Sequence, residues 1–129
     1  MRQITKRLLP GQDLKQEIKN LVEKEQVQAG VIASLVGSLN GAHIRIADGK
    51  TVKEWREPLE IVSGTGTVSV NGCHIHLSVA TVAGEVYGGH LAEGCIVKTT
   101  VELIILAFDD ATYVRHPDST TGYDELSIE

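Results

Sequence analysis

At 129 residues with 42% apolar side chains, the chain is long enough to fold as one domain with a real core, and disorder is not its default state. Aromatic residues supply only 4%, so that core must be built from Val, Ile, Leu and Ala. Seventeen acidic side chains against twelve basic ones leave a net charge of −5, which offers a phosphate backbone no electrostatic footprint and disfavours direct DNA binding.

No apolar run reaches the roughly 18 residues of a membrane span. The start, MRQITKRLLPGQD, has neither an apolar signal region nor a small-residue cleavage site, so a cytoplasmic protein with no membrane partner is expected. Cys73 and Cys95 should then stay reduced. One domain over 1–129 is predicted, with a core over about 4–108 and a polar, surface-hugging extension over 109–129.

Ile4, Leu8 and Leu9 sit in a short extended start that ends at Pro10-Gly11. Asp13 reads as an N-cap, with Gln16 three residues on as in a capping box. Leu14, Ile18, Leu21 and Val22 follow at the spacing of one helical face, which predicts a helix over about 14–26 that stops before Gly30. Lys15, Lys19 and Lys24 alternate with Glu17, Glu23 and Glu25, the pattern of a solvated face.

Beyond Gly30 the texture is β. VIASLVGSLNGAHIRIA reads as two strands hinged at Asn40-Gly41, a hairpin signal. Residues 48–58 read as a loop or edge. Leu59 to Val62 and Thr67 to Val70 read as short strands separated by Ser63-Gly64-Thr65-Gly66, and a long apolar strand follows from Ile96 to Phe108, buried on both faces. The predicted class is therefore α+β, a mainly antiparallel sheet with one principal packed helix. One amphipathic helix cannot cover a sheet of this size, and oligomerisation is a cheap remedy.

HIHLSVATVAGEVYGGH, from His74 to His90, carries three of the five histidines. His74 and His76 are two apart, so on a strand they share a face with Cα atoms roughly 6–7 Å apart. If Val82-Ala83-Gly84 forms the turn, with Gly84 in the left-handed region, Thr81 pairs with Glu85 and His76 falls opposite His90. A loop one residue shorter or longer would turn His90 to the other side. Three neutral imidazoles on one face suit a transition metal, and leave a fourth position open as in catalytic zinc sites. Exposed histidines on a polar sheet face, with no metal, are the competing reading. Gly88-Gly89 would let backbone or ligand approach closely.

The other candidates are weaker. Cys73 can be a ligand or a small buried thiol, the commoner fate. His43 reads as a surface residue alternating with Arg45, and His116 as a tail residue beside Arg115. Glu102 interrupts the apolar run TTVELIILAF, so it is either a satisfied structural acid or a site acid. Ser78 shares the parity of His74 and His76. The glycines of GTGTV lack a following helix and a Lys, and sheet turns explain them better than phosphate binding.

The order GVIASLVGSLNGAHIRI, EPLEIVSGTGTVSVNG, HIHLSV, GEVYGGHLAEGCIVKTTVELII resembles the plants and prokaryotes conserved (PPC) domain in its stand-alone prokaryotic form. The resemblance spans roughly Ile4 to Phe108. It implies an α+β homotrimer, and it implies that His74, His76 and His90 are metal-binding, with zinc in some members. Prokaryotic members are often labelled DNA-binding by association with plant proteins that carry an AT-hook, but this chain has no Arg-Gly-Arg-Pro segment. The plant domain mediates trimer formation and contacts to regulatory proteins, which implies a regulatory or interaction module. A more distant fold-level similarity to acetolactate decarboxylases keeps a second expectation: a metal-dependent lyase or hydrolase on a small polar substrate, with Glu102 or Ser78 moving protons or orienting it.

Overall fold

In the computed structural model, which describes Met1–Glu129, eight strands and one helix follow one another as β1 (Arg2–Leu8), α1 (Leu14–Lys24), β2 (Ala29–Arg45), β3 (Val52–Ser69), β4 (Gly72–Ala80), β5 (Val86–Leu91), β6 (Val97–Ala107), β7 (Tyr113–Pro117) and β8 (Asp124–Ile128). Six strands form one sheet in the order β1-β6-β2-β3-β4-β5, and β7-β8 form a separate pair. Every strand pairing is antiparallel, as the α+β reading expects.

The helix forms where its apolar spacing predicts. Leu14, Ile18, Leu21 and Val22 are all buried in the single core cluster. Asp13 caps it by accepting from the Gln16 amide at 3.1 Å, but the second half of the capping box is missing. The Gln16 side chain donates to Asn20 on the next turn instead. The helix ends two residues earlier than the expected bound, at Lys24, because Gln26 takes a left-handed φ of 52°. The Val27 amide then donates to Val22 O and the Gln26 amide to Glu23 O, which closes the last turn as a Schellman motif without glycine.

Several expectations about the strands are corrected. Asn40-Gly41 is not a hairpin turn: β2 runs straight through it and pairs with β3 on both sides, with a register shift between Asn40 and Ala42. Gly41 has φ +85°, so the signal for a left-handed residue was sound, but it marks a β-bulge, which needs the same backbone. The true turn lies at Asp48, whose carboxylate accepts from the Lys50 and Thr51 amides. Of the expected loop or edge over 48–58, the residues from Val52 to Pro58 are edge strand: they pair with β2 alone, and β4 joins β3 only from Glu60. The two short strands at 59–62 and 67–70 are parts of one long β3, with an irregularity between Ile61 and Ser63.

Length explains the curvature. β2, 17 residues long, pairs with β6 from Gly30 to Leu39 and then with β5 at Ile44 and Arg45. Because β3, β4 and β5 already pair in sequence, that last contact closes β2-β3-β4-β5 into a ring. β6 buries Val97, Val101, Leu103, Ile105 and Ala107, while Ile104 and Leu106 are only half-buried and Glu102 is exposed. Burial of β6 on both faces is thus corrected to one full face. The tail folds further than an extension: the β7-β8 hairpin is tied to the main sheet by the Val70 amide donating to Tyr113 O and by Asn71 bonding the Arg115 backbone twice.

Candidate metal centre

β4 alternates with a period of two: Ile75, Leu77 and Val79 point into the core, while His74 and His76 project from the opposite, solvent-facing side. The turn that follows is the one the sequence predicts. Gly84 has φ +80°, and the Thr81 amide donates to Glu85 O at 2.9 Å. The register then runs Ala80↔Val86, Val79↔Tyr87, Ser78↔Gly88, Leu77↔Gly89 and His76↔His90.

Gly89 is needed because β5 is squeezed between β4 and β2. A Cβ there would run into the Arg45 carbonyl oxygen and sit 3.0 Å from Ile44 Cγ2. It is backbone, rather than a ligand, that makes the close approach.

The three imidazoles converge. Their ring centroids lie 5.0, 5.2 and 5.9 Å apart, and one ligand nitrogen from each lies within 4.8 Å of the others. His74 Nε2 and His76 Nε2 are 3.2 Å apart, close to the roughly 3.3 Å that two nitrogens span on one tetrahedral ion with bonds of about 2.0–2.1 Å. Burial, with the neighbouring His76 and Arg115, lowers the pKa of His74. Burial, with Arg45 and His74, pushes that of His90 down to about 4. Both rings are therefore held neutral, the form that binds a metal. His90 Nδ1 is buried with no partner, an orphan acceptor or donor that a ligand would satisfy. The donor set fits a divalent transition ion.

The remaining candidates fall elsewhere. Ser78, half-buried beside His76 on β4, shares a hydrogen bond of 3.0 Å with Ser63 Oγ across the β3-β4 pair. Glu102 is an exposed residue opposite Arg7 and Val36, not an interior acid, and its strand is separated from β4 by β2 and β3. Its partner on β2, Val36, stands nine residues from Arg45, the partner of His90, so the chain itself does not bring Glu102 to the histidines. His43 Nε2 faces Glu54 Oε1 at 3.6 Å, and His116 Nε2 faces Glu129 Oε1 at 3.2 Å; neither joins the cluster. Cys73 and Cys95 are free thiols outside it, with burial raising both pKa values, that of Cys95 to about 11.

Two residues beside the site, Arg45 and Arg115, carry no role in the sequence reading. Arg45 is the cross-strand partner of His90, and its guanidinium lies 5.6 Å from the ring centre of Tyr123. Arg115 reaches from β7 to Thr67, the cross-strand partner of His74. The alternation of His43 with Arg45 was visible, but nothing local links position 45 to 90 or position 115 to 74. No helix is long and apolar enough to cross a membrane.

Comparison with known proteins places these features in a family. Residues 1–109 match the Plants and Prokaryotes Conserved (PCC) domain, the family that the sequence motifs resemble. A hypothetical protein from Salmonella cholerae-suis has the same fold, with a TM-score of 0.95 and 37% identity over 99% of this chain and 93% of that one. AF0104 from Archaeoglobus fulgidus, described as a metal-containing protein, superimposes with a TM-score of 0.82 and 31% identity over 98% of this chain and 94% of that one. The bifunctional protein GlmU of Synechococcus sp. (strain JA-2-3B'a(2-13)) is 43% identical over 95% of this chain, which spans only about a fifth (20%) of that protein's length. The chain belongs to the PCC domain family.

Proposed function

We propose that this is a homotrimeric PCC-domain protein in which His74, His76 and His90 hold a divalent transition metal, zinc foremost, and which works as a regulatory or interaction module. The observation that carries the reading is the convergence of three imidazoles on the open face of the β4-β5 hairpin, two of them held neutral. The metal-containing relative from Archaeoglobus fulgidus supports it. Recurrence of the same domain as about a fifth (20%) of a larger bifunctional protein supports a portable module. Val36 and Val62, each 55% exposed on long strands, are apolar surface that a homotrimer would cover. Direct DNA binding is no part of this reading, given the net charge of −5.

The open coordination position favours a second reading, a metal-dependent lyase or hydrolase on a small polar substrate. A bound divalent ion would supply Lewis acidity there and lower the pKa of a bound water. In that case Ser78, beside His76, orients the substrate.

Metal content of untagged protein tests the first reading. One equivalent per chain, lost in His74→Ala and His90→Ala, is expected. Less than about a tenth of an equivalent after zinc addition and desalting refutes the site. Light scattering reports the trimer independently.

A further inference from the structure

We infer that the histidine centre takes a small oxyanion, a carboxylate or phosphate, as its exchangeable ligand, clamped by Arg45 and by Arg115 of the C-terminal hairpin. The inference rests on the metal reading and goes beyond it to the class of ligand. Three placements carry it.

Arg45 stands directly opposite His90 across the β2-β5 pair, so both side chains leave the same face. It is oriented by Tyr123, over whose ring it lies at 5.6 Å. Arg115 arrives from the opposite flank. Its Cδ lies over Gly72, and its Nη2 donates to Thr67 Oγ1 at 2.8 Å, the cross-strand partner of His74. Two cations thus bracket the imidazoles, one beside His90 and one beside His74.

Preorganisation is the second sign. Asn71 holds the Arg115 backbone from both sides, accepting from its amide and donating to its carbonyl at 2.8 Å each, and Nη1 donates to Asp124 O at 3.3 Å. Two of these bonds hold the backbone, and those to Asp124 and Thr67 hold the half-buried guanidinium beside His74. Yet the Nε of Arg115 is buried and has no partner, as is the Nδ1 of His90. That unpaired donor leaves Arg115 with hydrogen-bonding capacity beyond its contacts within the chain.

Charge is the third. With a divalent ion bound, the two guanidiniums beside it would make a strongly cationic spot on a protein of net charge −5. Glu125 on β8 is the one acidic group among those acting on His74. An oxyanion completes the coordination sphere and meets the planar Arg donors with charge-assisted bonds. The C-terminal hairpin, which lies beyond the family match at residues 1–109, becomes a working wall of the site.

The test uses the full chain loaded with Co²⁺, whose visible spectrum reports its ligands. Lactate and inorganic phosphate are titrated, with lactamide as the neutral counterpart of lactate. Saturable spectral change is expected with at least one oxyanion at millimolar concentration and none with lactamide. Arg115→Gln and Arg45→Gln should each weaken that binding at least about tenfold while Co²⁺ stoichiometry stays unchanged. Arg115→Lys, which keeps the charge and the hairpin anchor, should recover part of it. No saturable change up to about 50 mM of either oxyanion, equal response to lactamide, or wild-type affinity in both Gln variants overturns the inference and leaves the metal site standing. Failure to bind Co²⁺ at all removes both.

Discussion

Replacing Gly89 by Ala should separate the geometry of the site from the stability of the turn that builds it. Gly89 does not have a positive φ, so alanine costs nothing in backbone strain; the cost is steric. The new methyl would overlap the Arg45 carbonyl oxygen and press on Ile44 Cγ2 at 3.0 Å, atoms of a strand that is itself locked against β3. Overpacking of this kind costs about 1–3 kcal/mol. The strand relieves it by moving β5 away from β2, which carries His90 off the point where His74 and His76 converge. Losing one of three ligands should weaken zinc binding at least about tenfold. Gly84→Ala is the control. Gly84 has φ +80° and nothing within 4 Å of where an alanine methyl would sit, so the variant suffers about 1–2 kcal/mol of left-handed strain and no clash. Urea unfolding of the metal-free proteins and competitive zinc titration read the two effects. Both variants should lose stability, but only Gly89→Ala should lose affinity. Wild-type zinc affinity in Gly89→Ala, or equal affinity loss in both, refutes the claim that the β2-β5 approach positions His90.

Other outcomes follow from the same contacts. Asp13→Ala removes the helix cap and also strips the Gly94 amide of its 2.7 Å acceptor, so it should cost about 2–3 kcal/mol in urea unfolding, with zinc affinity unchanged. Gln26→Gly relieves a left-handed non-glycine residue at the helix C-terminus and should raise stability by about 0.5–1 kcal/mol in the same assay. Cys95 is fully buried and its thiol pKa is pushed up to about 11 from 9.0, so the unfolded chain releases that proton first. Its contribution is complete below pH 9 and is lost as pH rises toward 11, a slope that Cys95→Ala should flatten in unfolding midpoints. In native protein only Cys73 should react with a thiol reagent.

What was legible in the sequence divides along the range of the forces involved. The helix was readable because Leu14, Ile18, Leu21 and Val22 report one face at one period, and the hairpin because Gly84 and the count from Thr81 to His90 confine a register within seventeen residues. Asn40-Gly41 misled for a physical reason: a left-handed glycine serves a two-residue turn and a bulge equally, and only the partner strand decides between them. Glu102 misled in a similar way. Its apolar neighbours suggested an interior, but a strand buries alternate residues, and Val101 and Leu103 take the core while Glu102 faces out. The arginines were out of reach altogether. Arg45 meets His90 only because β2 outlasts its pairing with β6 and continues onto β5, and Arg115 meets Thr67 only because a polar tail folds back as β7-β8. Local spacing can therefore nominate the atoms that hold an ion, since they lie on one hairpin. The groups that choose what else binds there come from the closure of the sheet and from its C-terminal attachment. These are long-range events, so the ligand chemistry of this site is a property of the fold before it is a property of any motif.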